Sequence, residues 1–253
     1  MTAEKFIREI QSTAEVFFKS IAVDIYQDAG ILCIVTGIDN NFLNAVLHVN
    51  VGEDQLEERI YMARIFFSSH QVPWTWCVNP LDQPGNIGYL LKSHGFVGLE
   101  STPVMVCDLK NYSPTKSLLS IKEVSSPYDF QDWGKALLEG FQSTAKNCAQ
   151  FVALNQNLRS KEADFYHFVA YHENEPVSSV TLSVSSYGAR IDNLATRTAF
   201  LRQGFGAEMV RCAMTKAKNL GYSWCCLESS RKGVSLYQKL GFREIYRVKI
   251  YGY

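Results

Sequence analysis

Residues 201–207, Leu-Arg-Gln-Gly-Phe-Gly-Ala, lie between a strand-like run, Arg190-Ile-Asp-Asn-Leu-Ala-Thr196, and an apolar-periodic helix carrying Met209, Val210, Cys212 and Ala213. A glycine-rich turn from a strand into a helix leaves several backbone N–H groups unpaired and aimed at one place. The helix dipole reinforces them, so that place favours an anion, normally a phosphate. Gly204 and Gly206 let a ligand approach the backbone, and Arg202 adds a fixed positive charge. The same residues also suit a plain tight turn that packs a helix on a sheet, so the pattern must be weighed with the rest of the chain.

A chain of 253 residues has room for one large domain or two of ordinary size, and its 47% hydrophobic content supplies real cores. With 25 basic and 25 acidic residues it has no net charge, so nothing global points to nucleic acid or a membrane surface. The two halves differ. Residues 1–110 hold 7 Lys/Arg against 13 Asp/Glu, and residues 111–253 hold 18 against 12. The glycine turn sits in the basic half, as an anionic ligand would favour, although the same asymmetry would help two lobes dock. The seven cysteines include no Cys-x-x-Cys pair, and their burial-prone contexts predict free thiols in a reducing cytoplasm. No signal peptide is evident. No apolar run approaches the roughly 18 residues of a membrane span.

The polar stretch 110–118, which contains Pro114, divides the chain into lobes at 1–112 and 117–253. Downstream, the pattern predicts strand 118–124, helices 127–142 and 145–159, strands 165–172, 177–185 and 189–196, and a helix from the glycine turn to 219. Strand 224–228, a short helix at 232–240 and strand 242–251 complete it. Upstream, helix 53–69, strand 74–78, helix 86–93 and strand 97–109 follow a similar order. Leu90-Leu-Lys-Ser-His-Gly-Phe96 aligns with Leu236-Tyr-Gln-Lys-Leu-Gly-Phe242 and shares Leu, Gly and Phe. The chain thus reads as an α/β protein with mixed (α+β) sheets and a duplicated fold. No glycine turn like 201–207 exists upstream, so the first copy lacks the ligand site.

The ordered set Asn193-Leu-Ala-Thr196, Leu201-Arg-Gln-Gly-Phe-Gly206 and Leu236-Tyr-Gln-Lys-Leu-Gly-Phe242 resembles the GNAT superfamily of N-acetyltransferases. That family's loop reads Arg/Gln-x-x-Gly-x-Gly/Ala, and its later helix reads Leu-Tyr-x-x-x-Gly-Phe. The resemblance covers roughly 118–253, and the first lobe looks like a degenerate member of a tandem pair. It implies acetyl-CoA as cofactor, with backbone groups of Leu194, Ala195 and Thr196 on the pantetheine arm, as an added strand would pair with a splayed edge. The amides of Arg202, Gln203, Gly204, Phe205, Gly206 and Ala207 would hold the pyrophosphate. Tyr237 would protonate the departing thiolate, whereas the aligned residue upstream is Leu91. The family's leading Arg or Gln falls on Leu201 here, which offers no charge.

The acceptor implied is a primary amine of a small molecule or peptide, attacking the thioester directly. The attacking nitrogen must lose a proton, and Asp192 and Glu228 are the carboxylates placed to accept it; both also suit strand-end hydrogen bonding. Ser229 and Ser230 either bind substrate or cap the next helix. His167 and His172 have no companion ligands at metal spacing, so no metal site is expected, and Trp74 and Trp76 fit core packing better than a cleft. Two other readings stay open: a catalytically inactive CoA-binding regulatory or interaction protein, and a binder of another nucleotide. Neither the acceptor nor the choice between monomer and homodimer is written in the sequence.

Overall fold

The computed structural model describes residues 2–28, 30–114, 117, 119–158 and 160–253. Along the chain the elements are α1 (Ala3–Ile21), β1 (Asp24–Asp28), β2 (Ile31–Val35), β3 (Ala45–Val49), α2 (Leu56–His70), β4 (Thr75–Val78), α3 (Ile87–Ser93) and β5 (Val97–Asp108). They continue with β6 (Ser120–Glu123), α4 (Pro127–Gly140), α5 (Ala145–Gln156), β7 (Ala163–His172), β8 (Glu175–Ser185), β9 (Ala189–Thr196), α6 (Phe205–Asn219), β10 (Trp224–Glu228), α7 (Val234–Lys239) and β11 (Arg243–Gly252). Two compact units result: Met1–Val104 together with Tyr246–Tyr253, and Met105–Ile245. This division differs from one at residues 110–118 because two long strands, β5 and β11, each begin in one unit and end in the other. Position 118, at the start of a predicted strand, and position 159, at the end of a predicted helix, lie outside the described residues.

In the first unit, β1, β2 and β3 form an antiparallel run, β3 and β4 pair in parallel, and β4 pairs antiparallel with β11 through Lys249↔Val78 to Gly252↔Thr75. The core gathers Ile31, Cys33 and Val35 with Leu56, Ile60, Phe67, Trp76 and Phe96. The sequence pattern places no strand before residue 53, yet three are present. Ile31–Val35 is buried at every position and Ala45–Val49 at all but one, so neither shows the period-two alternation that marks a half-buried strand, whereas Asp24–Asp28 is short, polar and mostly exposed. The predicted helix at 53 begins instead as a short 3-10 turn, Glu53–Gln55, before α2.

In the second unit, β6, β7, β8 and β9 run antiparallel in sequence order and β10 joins β9 in parallel. On one face α6 buries Phe205, Met209, Val210, Ala213, Met214 and Ala217 in a cluster that includes Val180, Leu182 and Ile191. A second cluster sets Trp133, Ala136 and Leu137 of α4 and Cys148 of α5 against Ala195 of β9. Capping fixes where α4 starts. Ser126 and Asp129 exchange capping-box hydrogen bonds, Pro127 stands in the first turn, and Lys122 Nζ reaches Asp129 Oδ1 at 2.7 Å.

The duplication is visible in matching backbone bonds. After α3, Phe96 N–H donates to Leu91 O and Gly95 N–H to Lys92 O; after α7, Phe242 N–H donates to Tyr237 O and Gly241 N–H to Gln238 O. Gly95 and Gly241 both take left-handed conformations, with φ of 87° and 92°, which glycine adopts without a Cβ penalty. Phe96 and Phe242 are each buried to 2% or less. Phe96→Ala and Phe242→Ala should each therefore cost about 3–5 kcal/mol of unfolding free energy, read by chemical denaturation.

Candidate active site

The glycine turn is built as its sequence requires. Arg202 and Gly204 take left-handed conformations, φ 61° and 89°, and Gly204 is the N-cap of α6. Glu208 N–H donates to Gly204 O, the first bond of the helix. Among the described residues, the amides of Arg202, Gln203, Gly204, Phe205, Gly206 and Ala207 find no acceptor. Six consecutive donors at a helix N-terminus are an anion cradle. Gln203 turns its side chain back to Ala199 O at 3.2 Å, and Leu201 is exposed.

Beside the turn, the sheet forks. The parallel pairing of β9 with β10 consists of Ala189↔Cys225 and Arg190↔Cys226, and no pair follows, although β9 continues to Thr196 and β10 to Glu228. The fork is marked by a buried guanidinium, Arg190, which belongs to no sequence motif. Arg190 is 3% exposed; its Nε donates to Asp192 at 3.1 and 2.9 Å, and its Nη1 donates to Glu228 Oε1 at 3.2 Å. The two carboxylates singled out as bases thus meet on one arginine. Burial raises the Asp192 carboxyl above its ordinary value, against the pull of Arg190. Glu228 keeps its second oxygen without a protein partner among the described residues.

Beyond the fork, β9 bulges. Asn193 is left-handed at φ 56°, and the β8–β9 register shifts between Ser179 and Thr181. Side chains hold the bulge: Asn193 Nδ2 donates to Thr181 Oγ1, Ser179 Oγ donates to Asn193 O, and Thr181 Oγ1 is hydrogen-bonded to His167 Nδ1 at 2.9 Å. His167 lies 5% exposed among Phe130 and Trp133, and burial lowers its pKa to about 4.

Three segments far apart in sequence converge here. A Cβ on Gly206 would lie 3.6 Å from Thr196 Oγ1 and 3.7 Å from Leu236 Cδ2, so the turn, the end of β9 and the first turn of α7 touch. Tyr237, next to Leu236, is buried, and burial together with the nearby Asp192 carboxylate raises its phenol pKa. The hydroxyl therefore stays protonated at neutral pH, and no hydrogen bond holds it among the described residues. Two glycines without sequence signals make room. A Cβ on Gly233 would come within 2.8 Å of the Tyr237 ring, and one on Gly140 within 2.8 Å of Ala195 Cβ and 3.3 Å of Thr196 N.

The first unit repeats the fork without the site. Its β3–β4 pairing also consists of two pairs, Ala45↔Thr75 and Val46↔Trp76, which puts Val46 where the second unit has Arg190. Its gap is filled by its own chain: Gln83 N–H donates to Val49 O, Val51 N–H donates to Gln83 O, and Asn79 Nδ2 donates to Leu47 O. The helix start that corresponds to the glycine turn carries Glu53, Asp54, Glu57 and Glu58, which repel an anion. Leu91, the counterpart of Tyr237, is fully buried.

The remaining candidates serve the fold. Ser229 Oγ donates to Ser230 O, and Ser230 Oγ accepts from Gly233 N, closing the turn before α7. Trp76 is core, and Trp74 stacks on Phe67 at 4.4 Å. His172 packs its ring on Phe200 and Phe205. All seven cysteines are free thiols, and burial pushes Cys33 up to about 12 and Cys212 to about 11, far from a reactive thiolate. No helix among the described residues is long and apolar enough to cross a membrane.

Comparison with known proteins agrees with this geometry. The acetyltransferase (GNAT) domain family model matches residues 163–244, from β7 into β11. A GCN5-related N-acetyltransferase from Kribbella flavida has a similar structure, with TM-score 0.74 and 14% identity over 96% of this chain and 95% of that one. A tandem GNAT protein from the clavulanic acid biosynthesis pathway gives TM-score 0.62 and 10% identity over 99% and 94%. A functionally unknown protein from Staphylococcus epidermidis gives 0.65 and 15% over 92% and 96%. No curated protein matches the chain.

Two outcomes follow from the site. Gly206→Ala meets ordinary van der Waals distances in the protein but fills the space between turn and strand end. It should leave unfolding free energy within about 1 kcal/mol and weaken binding of a diphosphate-bearing nucleotide about tenfold or more, read by calorimetry. His167 has a folded pKa near 4 against an ordinary 6.5, so the unfolded chain takes up its proton first as pH falls. Its contribution to stability should decline between those values, by about 3 kcal/mol in all, and His167→Gln should remove that slope in pH-dependent denaturation.

Proposed function

We propose that this chain, whose residues 163–244 form a GNAT-family acetyltransferase domain, moves an acetyl group from acetyl-CoA to a primary amine by direct attack. The observation that carries the reading is the convergence of Thr196, Gly206 and Leu236 beside Tyr237 and the fork. The free amides of Arg202 to Ala207 would bind the pyrophosphate, and Arg202 supplies the charge that Leu201 does not. The backbone of Leu194, Ala195 and Thr196 would pair with the pantetheine arm where β10 no longer pairs with β9. That arm occupies, in this reading, the position that Gln83 fills in the first unit.

Acetyl transfer needs a proton acceptor for the amine and a donor for the thiolate. Glu228 suits the first role, because one of its oxygens has no protein partner while Arg190 engages both oxygens of Asp192. Tyr237 suits the second, because its protonated hydroxyl is not committed elsewhere. As the nitrogen attacks the thioester carbon, negative charge collects on the carbonyl oxygen. The tetrahedral adduct then expels the sulfur, and Tyr237 donates toward it. A reducing, cytoplasmic setting belongs to the same reading, since free buried thiols tolerate it.

Incubation with acetyl-CoA and a panel of amines should release free thiol and add an acetyl mass to at least one amine. Tyr237→Phe should lower kcat about a hundredfold or more with little change in CoA affinity. Tight CoA binding with no thiol release, and no effect of Tyr237→Phe, would instead identify an inactive CoA-binding protein.

A further inference from the structure

The fork between β9 and β10 carries a side-chain strut, Arg190. Two parallel strands of this length would ordinarily continue pairing, because each unpaired N–H and C=O at a buried sheet position is costly. Here pairing ends at Arg190 itself, the residue opposite Cys226. Its side chain then runs alongside the gap. Nε is held on Asp192, two residues further along the same strand, and Nη1 reaches across to Glu228, the last residue of β10. A planar guanidinium presents its donors in a fixed fork, so two such bonds set a spacing as well as an attraction.

The first unit supplies the comparison. Its parallel pair ends at the corresponding point, Val46↔Trp76, where valine can brace nothing. There the gap is occupied permanently by backbone, with Gln83 bonded to Val49 and Val51. One copy of the fold has a strut and no filler, and the other has a filler and no strut.

We propose that Arg190 is a positioning residue that braces β9 against β10 at the width of an extended chain, so that the gap accepts the thiol-bearing arm of CoA and not only the nucleotide end. The proposal rests on the cofactor reading above. It predicts a division of binding energy along the ligand: the glycine turn alone holds the diphosphate end, whereas the arm depends on the brace. Asp192 and Glu228 take part as anchors of the brace, one on each strand.

The test compares the affinities of CoA and of 3′-phosphoadenosine 5′-diphosphate, which lacks the arm, for the full chain by calorimetry. Arg190→Met should weaken CoA tenfold or more and change the arm-less nucleotide less than twofold. Arg190→Lys, which keeps a charge but cannot bond both anchors at once, should fall between. Glu228→Ala cuts the tie to β10 at a half-exposed strand end and leaves the buried Arg190–Asp192 pair intact, so it should separate the two ligands in the same direction if Arg190→Met fails to fold. Equal losses for both ligands, or no loss for either, would overturn the brace while the cofactor reading stands. A wild-type chain that binds neither ligand overturns that reading and the brace together.

Discussion

The parting of β9 from β10 after Arg190 is the constraint around which the second unit is organised. A sheet that stops pairing in its own interior exposes backbone groups that must be satisfied in some way. On the β8 side, β9 is paired before and after its bulge, with Ser178 Oγ bonded to Ala195 O and Arg197 N–H to Val177 O. On the β10 side it is free beyond residue 190. The amides of the glycine turn face the same end of β9, since Gly206 approaches Thr196, and α7 closes the third side through Leu236 and Tyr237. Each neighbour of the gap therefore offers something an extended, phosphate-bearing ligand can use: edge backbone, free amides, and a protonated phenol.

Close approach of helices to this strand is secured by glycine and by charge. Gly140 lets the end of α4 touch Ala195 and Thr196. From there Glu139 accepts from Arg197 Nε at 2.7 Å and from Thr198 N–H at 3.1 Å, and Arg197 also pairs with Glu175 at the start of β8. These bonds hold β9 from the α4 side, as the Ser179–Asn193–Thr181–His167 chain holds its bulge. His167, buried and held neutral, works as a hydrogen-bonding part of the sheet, which explains why a histidine sits there without metal partners at suitable spacing.

The two copies of the fold treat the same gap differently. Both have the two-residue parallel contact, the helix–Gly–Phe ending and the same backbone bonds after it. Around the gap their side chains differ: Val46 for Arg190, Leu91 for Tyr237, and acidic residues where the second unit has Gly204 and Gly206. In the first copy the 79–84 segment pairs with β3 and takes up the gap.

Much of this was readable in the chain. The order of strands and helices from 120 onward, the glycine turn as a helix cap, and the Leu-Tyr-x-x-x-Gly-Phe ending all depend on local chemistry: glycine's access to positive φ, capping donors, and the spacing of apolar residues. The resemblance of residues 163–244 to the GNAT domain model rests on the same local motifs. Strands β2 and β3 were not readable, because a strand buried on both faces has no alternation to detect, and the short, polar, mostly exposed β1 has no apolar run. Arg190, Gly140 and Gly233 carry no local signal, since what makes each matter is a partner 38 or 55 residues away in the chain for Arg190 and Gly140, or a ring folded back over the turn for Gly233. Where the sheet stops pairing, and which two carboxylates share one buried arginine, is a property of register between strands distant in sequence, and only the tertiary structure decides register.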